Sequence, residues 1–177
     1  MPSVIRPATI ADAAEIARIH VEAWQAAYAG HMPDEFLRAL SVAERRQAWE
    51  RTLAAGTATV FVVLAGGGVA GFAIVGASRD DDAGPGTGEL HAINLDPAHW
   101  HSGLGRPLLD HAVTALRDLG HRDATLWVLA ANARARRFYE RAGWSPDGTS
   151  RVETIAGGTV ELAEVRYRRT LGTATVV

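Results

Sequence analysis

The 177-residue chain contains no cysteine, which excludes disulfides, thiolate metal sites and a cysteine nucleophile. It also lacks any segment that approaches the ~20 uninterrupted apolar residues of a membrane-spanning helix. Its first residues, from Met1 to Arg6, show no apolar stretch of the kind that forms a signal peptide. We therefore expect a cytoplasmic protein with no membrane partner.

A strong net charge is missing as well. The 18 Lys and Arg residues against 20 Asp and Glu residues give a net charge of −2, so no basic field is available to hold nucleic acid. The histidines form no HExxH pair and have no cysteine partner, so no metal site is predicted. Hydrophobic residues make up 47% of the chain, which is enough for a globular domain with its own core.

Helix signals dominate the first third of the chain. Thr9–Asp12 has the pattern of a capping box, and apolar residues then recur at helical spacing as far as about Tyr28. A second capping box at 41–44 predicts another helix, which Gly56 can end.

The rest of the chain alternates between strand and helix patterns. Leucine and alanine stripes predict helices at 104–119 and 135–142, each followed by glycine. Apolar, β-branched runs predict strands at 4–6, 60–64, 69–75, 89–95 and 125–129, and two last strands that turn near Gly157-Gly158 and end at about Arg168. The order βααβββαβαββ predicts one α/β domain over residues 1–171, with a loose tail at 172–177.

A polar turn between a strand and a helix is the first candidate site. Gly103 and Gly105 allow the chain to approach a ligand closely, and the following helix start adds its free N–H groups and its dipole. These features predict a phosphate site. It is not a P-loop, because no Gly-Lys-Ser/Thr follows, and the third glycine of a dinucleotide fingerprint is missing.

A second motif makes the phosphate ligand more specific. Asn132 to Trp144 matches Asn-x-x-Ala-x-x-Phe-Tyr-x-x-x-Gly-Phe/Trp at every named position. Trp100 to Gly105 matches Gln/Arg-x-x-Gly-x-Gly/Ala, with Trp in the leading position. With these two motifs in this order, the chain resembles the GNAT N-acetyltransferase superfamily. The resemblance implies a mixed central sheet with helices on both faces, and acetyl-CoA as cosubstrate.

The resemblance also implies roles for individual residues in cofactor binding. The backbone amides of Ile93 and Leu95 would bond the pantetheine arm, and that of Ile93 could polarise the acetyl carbonyl. Asn132 would bond the cofactor or order its turn. The pyrophosphate would be held by the turn residues His101, Ser102, Gly103, Leu104, Gly105 and Arg106. Trp100, His101 and Ser102 depart from the family's usual residues, which weakens the expected phosphate charge, although Arg106 remains.

The same resemblance suggests the catalytic groups. Tyr139 would be the general acid that protonates the leaving thiolate, unless it only packs on the inner helix face. Glu89 and His91 are alternative bases, and a dedicated base could also be absent. The alternation of a regular strand places Glu89, His91, Ile93 and Leu95 on one face.

The acceptor is predicted from the wall that the family uses for it. Trp24 and Tyr28 lie four residues apart on the first helix and would bind substrate, although helix packing explains Trp24 equally well. Their bulk favours a primary amine on a small molecule. Acetylation of a protein N-terminus or lysine is the alternative within the enzyme class, and a non-catalytic acyl-CoA-binding module is the alternative outside it. The family resemblance also suggests a homodimer.

Overall fold

Within residues 4–155, 158 and 160–172, which the computed structural model describes, seven strands form one mixed sheet. The spatial order is β1-β2-β3-β4-β5-β7-β6, and every neighbouring pair is antiparallel except β4 and β5. The strands are β1 Val4–Pro7, β2 Thr59–Ala65, β3 Gly68–Ala77, β4 Thr87–Leu95, β5 Asp123–Leu129, β6 Ser145–Ile155 and β7 Val160–Thr170.

The helices are α1 Ala13–Ala27, α2 Asp34–Ala39, α3 Val42–Ala55, α4 Gly105–Asp118 and α5 Ala133–Arg141. All were predicted except α2. Its six residues make less than two turns, which is too short for a helical period to show in the sequence. The fold class is confirmed, with one short helix added to the predicted order.

Local capping explains where the first helices begin. The Thr9–Asp12 capping box forms, but it opens a single 3₁₀ turn at Ile10–Asp12 before α1. Arg6 pairs with Asp12 through two contacts of 2.8 Å and, by hydrogen bonding, lowers the pKa of Asp12 to about 2. At α3 the Ser41 hydroxyl accepts the N–H of Glu44, and Gly56 ends the helix at a φ of +63°.

Helices cover both faces of the sheet. On one face the leucines of α4, among them Leu108 and Leu116, are fully buried against β2, β3 and β4. On the other face Ile16 and Ile19 of α1 pack with Trp49 of α3 on β2 and β3. Burial of each such side chain contributes about 1.5–3 kcal/mol.

Two irregularities in β4 determine the shape of the site. β4 pairs with β5 only from Thr87–Asp123 to Glu89–Thr125, and beyond those pairs the two strands part. In the β3–β4 pair, Ile74 faces Ala92 but Val75 faces Leu90, so His91 is an extra residue in a β-bulge.

The predicted final hairpin is present as β6 and β7, and β7 continues to Thr170. Of the predicted turn, Gly157 lies outside the described residues, whereas Gly158 has a φ of +90°. The predicted tail lies outside them from residue 173 onward. None of the helices in the described part of the chain has both the length and the apolar character needed to cross a bilayer.

Candidate active site

A cavity of about 550 Å³ lies where β4 and β5 part. Its walls come from α1, the ends of β4 and β5, the turn before α4, and α5. Ten of the predicted site residues line it: Trp24, Tyr28, Ile93, Leu95, His101, Gly103, Gly105, Arg106, Asn132 and Tyr139. The structure therefore brings together predicted site residues from four separate segments of the sequence.

The bulge changes which side chains share a face of β4. The predicted common face for Glu89, His91, Ile93 and Leu95 is wrong, because the extra residue His91 interrupts the alternation. Ile93 and Leu95 join the core beneath α4, whereas Glu89 lies opposite Gly76 on the α1 side.

The parted strands leave backbone groups of β4 available to a ligand. Asp96 donates its backbone N–H to Ala70 on the β3 side. Successive residues of a strand direct their backbone groups to opposite edges, so the N–H groups of Leu95 and Ile93 face the gap. Their role as donors to pantetheine stays a prediction.

The turn before α4 has a fixed and partly strained conformation. Asp96 accepts the N–H of Ala98 at 2.8 Å and pairs with Arg18 of α1 at 2.9 Å. Gly103 has a φ of +85°, and His101 has a φ of +62°, which costs a non-glycine residue roughly 1–2 kcal/mol. A Cβ on Gly105 would meet Phe138 at 3.4 Å. Glycine thus allows α4 to begin close against α5.

Three residues of the predicted phosphate turn direct their side chains elsewhere. Ser102 donates its hydroxyl to the carbonyl of His99 at 2.6 Å, and Leu104 packs against the core under α4. Neither lines the cavity. Arg106 does line it, but its guanidinium bonds Asp110 at 2.9 Å.

Asn132 orders the second motif. Its side-chain oxygen accepts the N–H of Ala135 at 3.0 Å and caps α5. Of the two roles predicted for this residue, the structure shows the one that orders the turn.

Two tyrosines line the cavity, the buried Tyr139 and the half-buried Tyr28. Burial, with Tyr28 as a second influence, raises the pKa of Tyr139 above its usual value. Among the described residues no group hydrogen-bonds the Tyr139 hydroxyl. Burial also raises the pKa of Tyr28 to about 12, with further contributions from Glu164 and Glu153. Both phenols therefore hold their protons at neutral pH.

The two candidate bases lie outside the cavity lining. Glu89 is buried, and its carboxylate accepts the backbone N–H of Arg79 at 2.9 Å and a guanidinium N–H of the same residue at 2.7 Å. His91 lies 3.8 Å from Glu89 through Nε2, which also meets the carbonyl oxygen of Ala77 at 3.1 Å. Burial lowers the pKa of His91. The bulge places the two groups in one environment.

Other lining residues were not predicted as site residues. Trp100 and Phe138 occupy positions inside the two motifs, so the motifs themselves were the available signal. Arg134 and Arg137 also lie within the second motif, whereas Asn94 and Trp127 follow from the strand ends that surround the cavity.

Trp127 is held by a buried charge network. Its indole N–H donates to Asp80 at 2.9 Å. The buried Arg166 guanidinium pairs with Asp80, Asp82 and Asp147 at 3.2, 2.6 and 2.7 Å. The network thereby fixes the loop between β3 and β4 against the centre of the sheet. In the part of the chain that the structure covers, no group of three or more His, Cys, Asp or Glu side chains is arranged to hold a metal ion.

A sheet split between two parallel strands, with a glycine turn and a helix start at the split, defines a class of acyltransferase fold. The profile of the Acetyltransferase (GNAT) family matches residues 14–144, which include both motifs. The chain belongs to this family and is an N-acetyltransferase.

Individual proteins agree with this assignment. The uncharacterized N-acetyltransferase YuaI of Bacillus subtilis is 32% identical over 165 residues, which cover 93% of this chain and 88% of YuaI. The ribosomal protein bS18-alanine N-acetyltransferase of Escherichia coli is 37% identical over 87 residues, about half of each protein. The fold matches that of YncA from Salmonella typhimurium, a structure with acetyl-CoA, at a TM-score of 0.72, with 23% identity over 100% of this chain and 98% of the other.

Proposed function

We propose that the protein transfers an acetyl group from acetyl-CoA to the primary amine of a small molecule, by direct transfer within a ternary complex. The observation that carries this proposal is the meeting, in one cavity, of the Tyr139 phenol with the free edge of β4 at Ile93 and Leu95. The acetyl-CoA complex of the Salmonella protein, which has the same fold, supports the choice of cosubstrate.

The residues present fit such a cosubstrate. The N–H groups of Ile93 and Leu95 lack a strand partner in the described structure, and a polar chain lying between the strands would satisfy them. When bound, acetyl-CoA supplies a thioester whose carbonyl carbon accepts the amine. The Ile93 N–H would donate to the carbonyl oxygen as negative charge develops there, and the glycine turn at 103–105 would receive the phosphates.

Tyr139 would supply the proton for the departing sulfur. Transfer forms the amide C–N bond, breaks the C–S bond and leaves a thiolate, which a phenol can protonate. The raised pKa of Tyr139 keeps that proton in place throughout the neutral range. The proton from the amine leaves through water, and Glu89 and His91 are the proposed groups that could receive it from there.

The acceptor would enter beside α1. The rings of Trp24 and Tyr28 stand edge to face with centroids 5.1 Å apart, and Trp127 lines the same cavity from β5. Three aromatic side chains suit a small organic amine better than an extended peptide. A peptide N-terminus is the second candidate, because the bS18-alanine N-acetyltransferase of Escherichia coli matches half of the chain.

A panel of amines tests the proposal. Polyamines, amino acids and amine-bearing antibiotics would be assayed beside peptides that begin with alanine, with thiol release and product mass as readouts. The chain has no lysine, so acetylation of its own side-chain ε-amines cannot add to the signal. Release with a small amine supports the proposal. Release with peptides alone would move the assignment to a protein N-terminus.

Binding of acetyl-CoA without thiol release from any amine would favour the non-catalytic binding module instead. The homodimer and the cytoplasmic location stay predictions. Light scattering coupled to size exclusion, with and without acetyl-CoA, would measure the oligomeric state directly.

A further inference from the structure

All 18 basic residues of the chain are arginines, so every phosphate contact that uses a permanently charged side chain must use a guanidinium. Four arginines line the cavity: Arg106, Arg134, Arg137 and Arg141. Arg106 belongs to the turn before α4, and Arg134 contacts Trp100, the residue that leads this turn, so these two side chains lie nearest the predicted phosphate position.

Arg106, which the sequence favoured as the phosphate-binding side chain, already hydrogen-bonds other groups of the protein. Its Nε donates to both carboxylate oxygens of Asp110 at 2.9 Å, one turn further along α4. Its Nη1 donates to the carbonyl oxygen of Arg141 at 3.2 Å. A phosphate would have to compete with Asp110 for this side chain.

Arg134 has a different environment. Its Cζ lies 3.6 Å from the ring centroid of Trp100, and among the described residues no carboxylate pairs with it and no acceptor takes its N–H groups. Arg134 is exposed to solvent, and partial desolvation lowers its pKa, as expected for a guanidinium without a counter-charge. Stacking on an aromatic face leaves the donors at the edge of a guanidinium free.

Trp100 holds this arrangement in place. Its indole N–H donates to the carbonyl oxygen of Leu95 at 3.1 Å, so the ring is fixed between the end of β4 and the start of α5. Trp100 also leads the turn whose Gly103 and Gly105 line the same cavity. The guanidinium of Arg134 is therefore presented beside the amides of the phosphate turn.

We propose that Arg134, held on the indole of Trp100, is the side chain that binds the diphosphate of acetyl-CoA. It replaces the basic or amide side chain that normally leads this turn in the family, and Trp100 is its positioning residue. The inference rests on the proposed use of acetyl-CoA. We assign Arg134 to the diphosphate rather than to the 3′-phosphate, because its guanidinium stacks on Trp100, the first residue of the turn.

Calorimetric binding of CoA, 3′-dephospho-CoA and pantetheine to the purified protein separates the possible contacts. Arg134→Gln should weaken CoA and dephospho-CoA alike, by roughly 10- to 100-fold for the loss of a charge-assisted contact. The affinity for pantetheine, measured at millimolar concentration, should stay within twofold. Arg51→Gln is the matched control, because Arg51 is exposed on α3 and lies outside the cavity.

Trp100→Phe keeps a ring but loses the indole N–H. It should weaken both diphosphate ligands by roughly 3- to 10-fold, and it should have little further effect once Arg134 is replaced, because the two residues act as one unit.

Four outcomes would overturn the proposal. An Arg134→Gln loss confined to CoA would mean that Arg134 contacts the 3′-phosphate. An equal loss with pantetheine would mean that the side chain is only structural. Unchanged affinities would remove Arg134 from the site and leave the proposed function standing. Absence of CoA binding by the unmodified protein would contradict both the role of Arg134 and the proposed function.

Discussion

His20 makes the stability of this protein depend on pH between about pH 4 and pH 6.5. The ring lies among Trp24, Trp49 and Phe72, and its Nδ1 accepts the indole N–H of Trp49 at 3.2 Å. Burial, with a smaller contribution from Arg45, lowers the pKa of His20 from 6.5 to about 4. Protonation at Nδ1 would place a second donor against the Trp49 N–H.

The direction of the effect follows from the two pKa values. Between pH 6.5 and pH 4 the unfolded chain binds the His20 proton and the folded chain does not, so stability falls as the pH falls. The lowering of the His20 pKa from 6.5 to about 4 corresponds to a loss of roughly 3 kcal/mol in stability once the pH is below both values. Between pH 7 and pH 5 the loss should be about 2 kcal/mol.

Urea unfolding followed by tryptophan fluorescence at pH 7 and pH 5 measures this loss. His20→Asn keeps an acceptor near the position of Nδ1 but does not titrate, so it should lose about 2 kcal/mol less than the unmodified protein on acidification. His31→Asn, at an exposed position, is the control and should behave like the unmodified protein. If His20→Asn and the unmodified protein lose the same amount, burial of a neutral His20 is not the cause.

Three further predictions concern the site and its support. Tyr139→Phe should lower kcat roughly 10²- to 10⁴-fold, as for loss of a general acid, while the Kd for acetyl-CoA measured by calorimetry stays within twofold; an unchanged kcat would remove the acid role. His91 accepts a proton only when neutral, and its pKa is lowered. The proposed relay therefore predicts that kcat/KM falls on the acid side, below about pH 6.5, and that His91→Asn abolishes this fall. A fall that persists in the variant belongs to another group. Arg166→Gln should cost about 3–5 kcal/mol in urea unfolding, because three carboxylates lose their buried partner; a cost below about 1 kcal/mol would mean that water replaces the guanidinium.

The sequence predicted correctly those features that depend only on residues close together in one segment. The leucine stripe of α4 is buried as its spacing predicts, and Asn132 caps α5 within the motif that named it. These features depend on residues three or four apart, and this spacing is visible in the sequence itself.

The missed features depend on partners that are distant in the chain or on a register. Nothing in residues 87–95 marks His91 as the extra residue of a bulge, because the bulge is defined only against β3. Likewise, the sequence favoured Arg106 for the phosphate, whereas Asp110 engages that side chain. The contact of Arg134 with Trp100 joins residues 34 positions apart, so no local sequence pattern predicts it.

The gap between β4 and β5 has a consequence for self-association. Each strand presents an unpaired inner edge there, and such edges ordinarily invite a strand from another molecule and lead to aggregation. Here the opening is enclosed by Trp24 and Tyr28 on one side and by Phe138 and Tyr139 on the other. An extended neighbouring chain would have to displace these rings before it could pair. The protein can therefore keep a sheet edge open to a slender ligand while it hinders pairing with a strand of another molecule.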